Sequence, residues 1–139
     1  MNKTHLKSLG YQAEQYVAET LVLERGWTVV ARNYACVGGE IDLIFHDAAT
    51  DSLVFVEVKY RQRPVRGIPE LQSLLGRRKR MAMMRAAADF LCKNPENPCY
   101  AQRFDLALIG GVAPHFQWVA HFEGVLNEAG VPVGSGYGE

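Results

Sequence analysis

The chain has 139 residues, 48% of them hydrophobic and 22% charged, which suits one globular domain with a continuous core and excludes collagen-like repeats, long disorder and a coiled coil. Fifteen basic side chains balance fifteen acidic ones, so net charge by itself gives no support to nucleic-acid binding. No apolar run approaches the roughly 18 residues of a membrane span, Met1 to Lys7 lacks the apolar core of a secretory signal, and Cys36, Cys92 and Cys99 are an odd set without metal-ligand spacing; the expectation is a cytoplasmic protein with reduced thiols and no membrane partner.

Apolar residues at Leu6, Leu9, Ala13, Tyr16, Val17 and Leu21 recur at helical spacing from Thr4 to Arg25, and Gly26 stands where a C-terminal cap belongs. Trp27 to Ala31 reads as a short strand and Asn33 to Gly39 as a loop. In Glu40 to His46, alternation places Ile41, Leu43 and Phe45 on one face and Glu40, Asp42, Ile44 and His46 on the other. After the turn-like residues 47–52, Leu53 to Tyr60 forms the next strand, with Val54, Val56, Val58 and Tyr60 opposite Leu53, Phe55, Glu57 and Lys59. These two strands form a hairpin.

Pro64, Gly67 and Pro69 interrupt regular structure before a second long helix from Leu75 to Lys93, with Met81, Met84, Ala88 and Leu91 at helical spacing. Asn94 to Pro98 ends it, and Arg103 to Ile109 and Phe116 to Phe122 read as two more strands. The order αβββαββ lacks regular strand-helix alternation, so the expected fold is a single-domain α/β architecture with a mixed β-sheet flanked by helices, over residues 1–126. Residues 127–139 read as a loose C-terminal tail.

If the hairpin turn is symmetric about the Ala49-Thr50 bond, Asp42 faces Glu57 and Glu40 faces Lys59. A slip of two residues instead opposes Glu40 to Glu57 or Asp42 to Lys59, the second being a plain salt bridge. Opposed carboxylates beside buried valines need a proton, a cation or Lys59 to compensate them. A divalent ion does so most directly, because carboxylates, carbonyls and water are the hard ligands that Mg²⁺ or Mn²⁺ prefers. The competing reading is an acidic solvent face with cross-strand ion pairs, in which Glu40 is a structural partner of Lys59 or Arg61. The four histidines are scattered, and only His46 shares the alternation of Asp42.

The string Gly39-Glu40-Ile41-Asp42-Leu43-Ile44, followed by Val54-Phe55-Val56-Glu57-Val58-Lys59-Tyr60-Arg61, resembles the PD-(D/E)XK, or restriction-endonuclease-like, nuclease pattern. The chain as a whole resembles the small bacterial YraN family, from Gly10 and Glu14 through Gly26 and Arg32-Asn33 to Lys79, Ala87-Ala88, Leu91 and Arg103-Phe104-Asp105. The resemblance implies a restriction-endonuclease-like core, a distant likeness to archaeal Holliday junction resolvases and, by analogy with those, a homodimer. It implies Asp42, Glu57 and Lys59 as catalytic residues, with Mg²⁺ or Mn²⁺ held by Asp42, Glu57, Glu14 and the Val58 carbonyl. The proline of the superfamily name is absent, Ile41 standing before Asp42.

Positive charge is concentrated beside this hairpin: residues 59–85 hold nine basic and one acidic side chain, against four and eight before them and two and six after. Arg61, Arg63 and Arg66 follow the hairpin, and Arg77, Arg78, Lys79, Arg80 and Arg85 lie on the second helix. Such residues give sequence-independent phosphate affinity, which points to nucleic acid, DNA above all, as partner. The expected function is metal-dependent endonucleolytic hydrolysis of DNA, branched or structured DNA included. The alternatives are a nucleic-acid-binding module that keeps the nuclease fold without useful turnover, and an adaptor domain with an ion-paired hairpin.

Overall fold

The computed structural model describes residues 3–62, 70–95 and 101–126. Its elements are α1 (Lys3–Arg25), β1 (Thr28–Cys36), β2 (Gly39–Asp47), β3 (Ser52–Tyr60), the single turn α2 (Leu71–Leu74), α3 (Arg77–Lys93), β4 (Ala101–Val112) and β5 (His115–Phe122). The five strands form one sheet in the order β1-β2-β3-β4-β5, with β3 and β4 parallel and the other neighbours antiparallel. The expected single-domain mixed sheet flanked by helices is therefore present, α3 lying in the crossover that parallel strands require. No helix among the described residues is long and apolar enough to cross a membrane.

Period-two alternation on β3 creates the two cores. Val54 and Val56 pack with Val17, Ala18 and Leu21 of α1, while Leu53 and Phe55 pack with Met83, Ala86, Ala87 and Phe90 of α3. The helices thus cover opposite faces of the sheet. Gly26 ends α1 as its spacing predicts, with φ +68° and its N–H donated to the Val22 carbonyl at 3.1 Å. The hairpin register also matches the symmetric turn, from Leu43 opposite Val56 to Asp47 opposite Ser52. The Asp47 carboxylate ties that turn by accepting the Ala49 N–H and the Thr50 hydroxyl, each at 3.0 Å.

Three expectations are corrected. The segment read as a loop, Asn33 to Gly39, belongs to β1 and a two-residue turn at Val37-Gly38, Cys36 pairing with Gly39. Gly38 at φ +76° provides the turn geometry, and a bulge between Val29 and Ala31 plus Asn33 at φ +50° hid the strand from simple alternation. On α3 the buried stripe is Met83, Ala86, Ala87 and Phe90; of the expected stripe, Met84 and Leu91 pack half-buried against this core, whereas Met81 is 42% exposed and Ala88 is exposed. Both stripes have helical spacing, and the rotation is set by contact with β1–β2: a Cβ on Gly39 would stand 2.7 Å from the Ala86 nitrogen and 2.9 Å from the Ala82 carbonyl. Finally, Ile41 joins Ile44 in the α3 core, whereas Leu43 and Phe45 join the α1 core. Strict alternation breaks at Asp42, where the β2–β3 ladder stops.

Gly39→Ala is expected to lower stability by about 1–3 kcal/mol, since backbone atoms rather than a flexible side chain must move. Urea denaturation of the two proteins checks this, with Gly10→Ala, whose added Cβ meets no atom within 4 Å, as the comparison.

Candidate functional site

Beyond Leu43 and Val56 the hairpin strands exchange a backbone bond for a side-chain one: Asp42 Oδ2 accepts the Val58 N–H at 2.8 Å. That bond locks the Asp42 carboxylate between the strands. Glu57 follows on the α3 face of β3 and is 2% exposed. Its Oε2 lies 3.1 Å from Lys79 Nζ, and its Oε1 is buried with no hydrogen-bond partner. From the other side of the sheet, Glu14 of α1 approaches the same place and also buries an Oε1 without a partner.

The electrostatics follow from this crowding. Burial first, then the Asp42 charge, push Glu57 up to about 8, against the opposing pull of Lys79. Burial and Asp42 likewise push Glu14 up to about 7, a hydrogen bond from Asn33 opposing them. For Lys79, burial works against the charge, but Glu57 and Glu40 outweigh it and hold the ammonium above its ordinary value. Lys79 Nζ is 2.9 Å from Glu40 Oε1. Glu40 therefore has Lys79, and neither Lys59 nor Arg61, as its ion partner, which corrects the expected cross-strand pair.

The remaining expected residues divide by position. Lys59 shares the face of Glu57 and makes no ion pair with a described residue; the Val58 N–H is spent on Asp42. Arg61 is exposed and donates its backbone N–H to Ile109. Arg77 and Arg78 are exposed at the start of α3, while Arg80 is half-buried and donates to the Leu75 carbonyl at 3.0 Å. Lys79 leaves this row for the carboxylates. Arg63 and Arg66 lie outside the described residues. His46 pairs with Asp51 at 3.0 Å, next to the hairpin turn. An open cleft of about 490 Å³ adjoins the carboxylates, bounded by Gly38, Gly39, Glu40, Gly76, Arg78 and Lys79.

Sequence reasoning missed two features. One is the pairing of Lys79, expected among the phosphate contacts, with Glu40, 39 positions away, and the other is a second acid cluster whose ligand atoms lie within 4.8 Å of one another: Asp105, His121 and Glu123. Arg103 and Asp105 sit two apart on β4, so strand alternation could have paired them. Asp105 is fully engaged. It accepts two bonds from Arg103 at 2.9 and 3.0 Å and the Gly124 N–H at 3.0 Å, and shares a 2.8 Å hydrogen bond with His121. Burial alone would raise its pKa, but His121 and Arg103 hold it below the ordinary carboxylate value. A guanidinium already does there what a metal would do.

Two outcomes are expected. Because folded Glu57 keeps a proton that the unfolded chain releases, wild-type stability falls as pH rises from about 4.5 to about 8. Glu57→Gln removes that loss, so its melting temperature gains on wild type between pH 5 and 9. Asp105→Ala takes the buried acceptor away from half-buried Arg103, His121 and the Gly124 N–H, leaving Arg103 only Glu123, and is expected to cost about 2–4 kcal/mol in urea denaturation at neutral pH.

The sequence profile of the Uncharacterised protein family UPF0102 matches residues 13–109, a stretch that holds both Asp42 and the Glu57-Val58-Lys59 element. Among individual relatives, the chain is 40% identical over 102 residues to a UPF0102 protein of Ralstonia pickettii, covering 73% of this chain and 78% of that one. It is 40% identical over 113 residues to a UPF0102 protein of Dechloromonas aromatica, covering 81% and 85%. A Pseudomonas putida UPF0102 protein shares 42% identity over 101 residues, covering 68% and 76%. On the profile match and these relatives together, the chain belongs to the UPF0102 family.

Proposed function

We propose that this protein is a Mg²⁺- or Mn²⁺-dependent nuclease that hydrolyses phosphodiester bonds of DNA, branched or structured DNA included. The observation that carries the reading is the pair of buried, unpartnered carboxylate oxygens, Glu14 Oε1 and Glu57 Oε1, on either side of Asp42. Unsatisfied buried acceptors are costly and uncommon, and carboxylate oxygens are the hard ligands that a divalent cation prefers. The acid and E-x-K arrangement is also the one by which the hairpin resembles PD-(D/E)XK nucleases and, distantly, archaeal Holliday junction resolvases.

Asp42, Glu57 and Glu14, with the Val58 carbonyl, would hold the cation, which supplies Lewis acidity toward a phosphate oxygen and acidifies a water. The chain's own groups do the rest. The Val58 N–H keeps Asp42 in one orientation, so no rearrangement is needed when charge develops. Lys59, uncommitted to another described side chain, orients the attacking water and offsets charge on the phosphate. Arg61, Arg77 and Arg78 contact flanking phosphates, giving affinity that falls with salt. With zero net charge one copy has a weak field, and a homodimer doubles the basic surface. Lys79, already neutralising the carboxylates, favours the second reading, a DNA-binding module without turnover.

The deciding experiment incubates the protein with linear, flapped and four-way DNA in Mg²⁺ or Mn²⁺ beside Asp42→Ala and Lys59→Ala. The expected result is cleavage that falls on the order of 100-fold or more in either variant. Cleavage that survives both substitutions removes the site assignment, and DNA binding without cleavage in either metal selects the second reading. Because Glu14 and Glu57 must release protons to bind a cation, metal affinity is expected to rise with pH through about 7 to 8, read by calorimetry.

A further inference from the structure

Lys79 is the third residue of α3 and so begins beside Arg77 and Arg78, yet its ammonium is turned onto carboxylates of β2 and β3. Its two contacts are unlike. Glu57 is 2% exposed and buried beneath the α3 face, whereas Glu40 is exposed at the rim of the adjoining cleft. Lys79 also lines that cleft, next to Arg78, so its four-carbon stem has open space to enter without any movement of the backbone.

Lys79 engages Glu57 Oε2, and Asp42 is the other charged group close to this carboxyl. A divalent cation engaging Glu57 and Asp42 would stand within a few ångströms of Nζ. Two unscreened cations at such a distance in a buried site repel strongly, and the divalent one draws more from the same carboxylates. Glu40 can retain Lys79 when Glu57 is lost, because Glu40 lies on the open side.

From this geometry we infer that Lys79 is a tethered counter-ion of Glu57 and Glu40, exchanged at Glu57 by a divalent cation and moved into the cleft beside Arg78. The inference rests on the metal-site reading above and adds a positioning role to it: Lys79 holds like charges together until the cation arrives. Once displaced, its ammonium joins the Arg78 side of the cleft, where it adds positive charge for a phosphate. Metal uptake and the basic surface are thereby linked through one side chain.

The test uses the wild-type protein, acylated with an amine-reactive acetate ester with and without Mg²⁺ and analysed by peptide mass spectrometry. Lys79 labelling is expected to increase several-fold with Mg²⁺. Lys93, paired with Asp89 on the last turn of α3, serves as the internal reference and stays constant. Calorimetry on the same sample reports Mg²⁺ uptake independently. Uptake with Lys79 labelling unchanged or reduced overturns the exchange and leaves the metal site standing, whereas no uptake overturns both. In Glu57→Gln, Lys79 is expected to label faster without Mg²⁺ and to lose its Mg²⁺ response. A response equal to that of wild type in this variant overturns the role assigned to the Glu57 contact.

Discussion

A carboxylate at 2% exposure beside a second carboxylate is the constraint around which this fold is arranged. Removing a charge from water costs several kcal/mol, so Glu57 persists only because its surroundings compensate it in part. The hairpin ladder stops at Leu43–Val56, Asp42 takes the Val58 N–H that the ladder leaves, and β2 abandons strict alternation at the same residue. From above, α3 must lie close enough to bring Lys79 onto Glu57 and Glu40. That closeness demands the missing side chain at Gly39, where a Cβ would run into the backbone of Ala82 and Ala86. Glu14 on α1 completes the crowding from the opposite face.

Among the described residues two acids, Asp105 and Glu57, are buried, and they solve the same problem differently. Asp105 on β4 has its oxygens occupied by Arg103, His121 and Gly124, and its pKa is drawn down accordingly. It is a closed network that joins β4 to β5 and to the residues that follow, with Arg103 also stacked on Trp27. Glu57 and Glu14 each leave an oxygen unsatisfied, and their pKa values are driven up. Among the described residues the closest-set group of acidic and histidine ligand atoms is Asp105, His121 and Glu123, whereas the buried oxygens left without a partner belong to Glu14 and Glu57. Incomplete compensation is what distinguishes a group poised to bind from a group that only braces the fold.

A net charge of zero hides a local concentration of positive charge at the start of α3. Glu14, Asp42 and Glu57 are gathered between sheet and helices, with Glu14 and Glu57 pushed toward their protonated forms, while Arg77 and Arg78 remain exposed at the start of α3 and Arg78 lines the cleft. The local field near α3 therefore differs from what the balanced composition suggests. The lone lysine in that row that faces inward shows how the same basic segment serves both the acids and the surface.

Much of this was legible in the sequence where the governing interactions are short-range. Spacing and the Gly26 cap define α1, the Asp47 turn sets the hairpin register, and alternation on β3 places Glu57 and Lys59 opposite the valines. Local periodicity could not fix the rotation of α3, nor follow β1 past its bulge and left-handed Asn33 to Cys36. The sequence by itself determined which elements form and which face of the hairpin carries the acids, because turn chemistry and strand period act over a few residues. Only the tertiary structure decided that Glu14 and Lys79 meet Asp42 and Glu57, because those contacts depend on how two helices rotate and seat against opposite faces of the sheet.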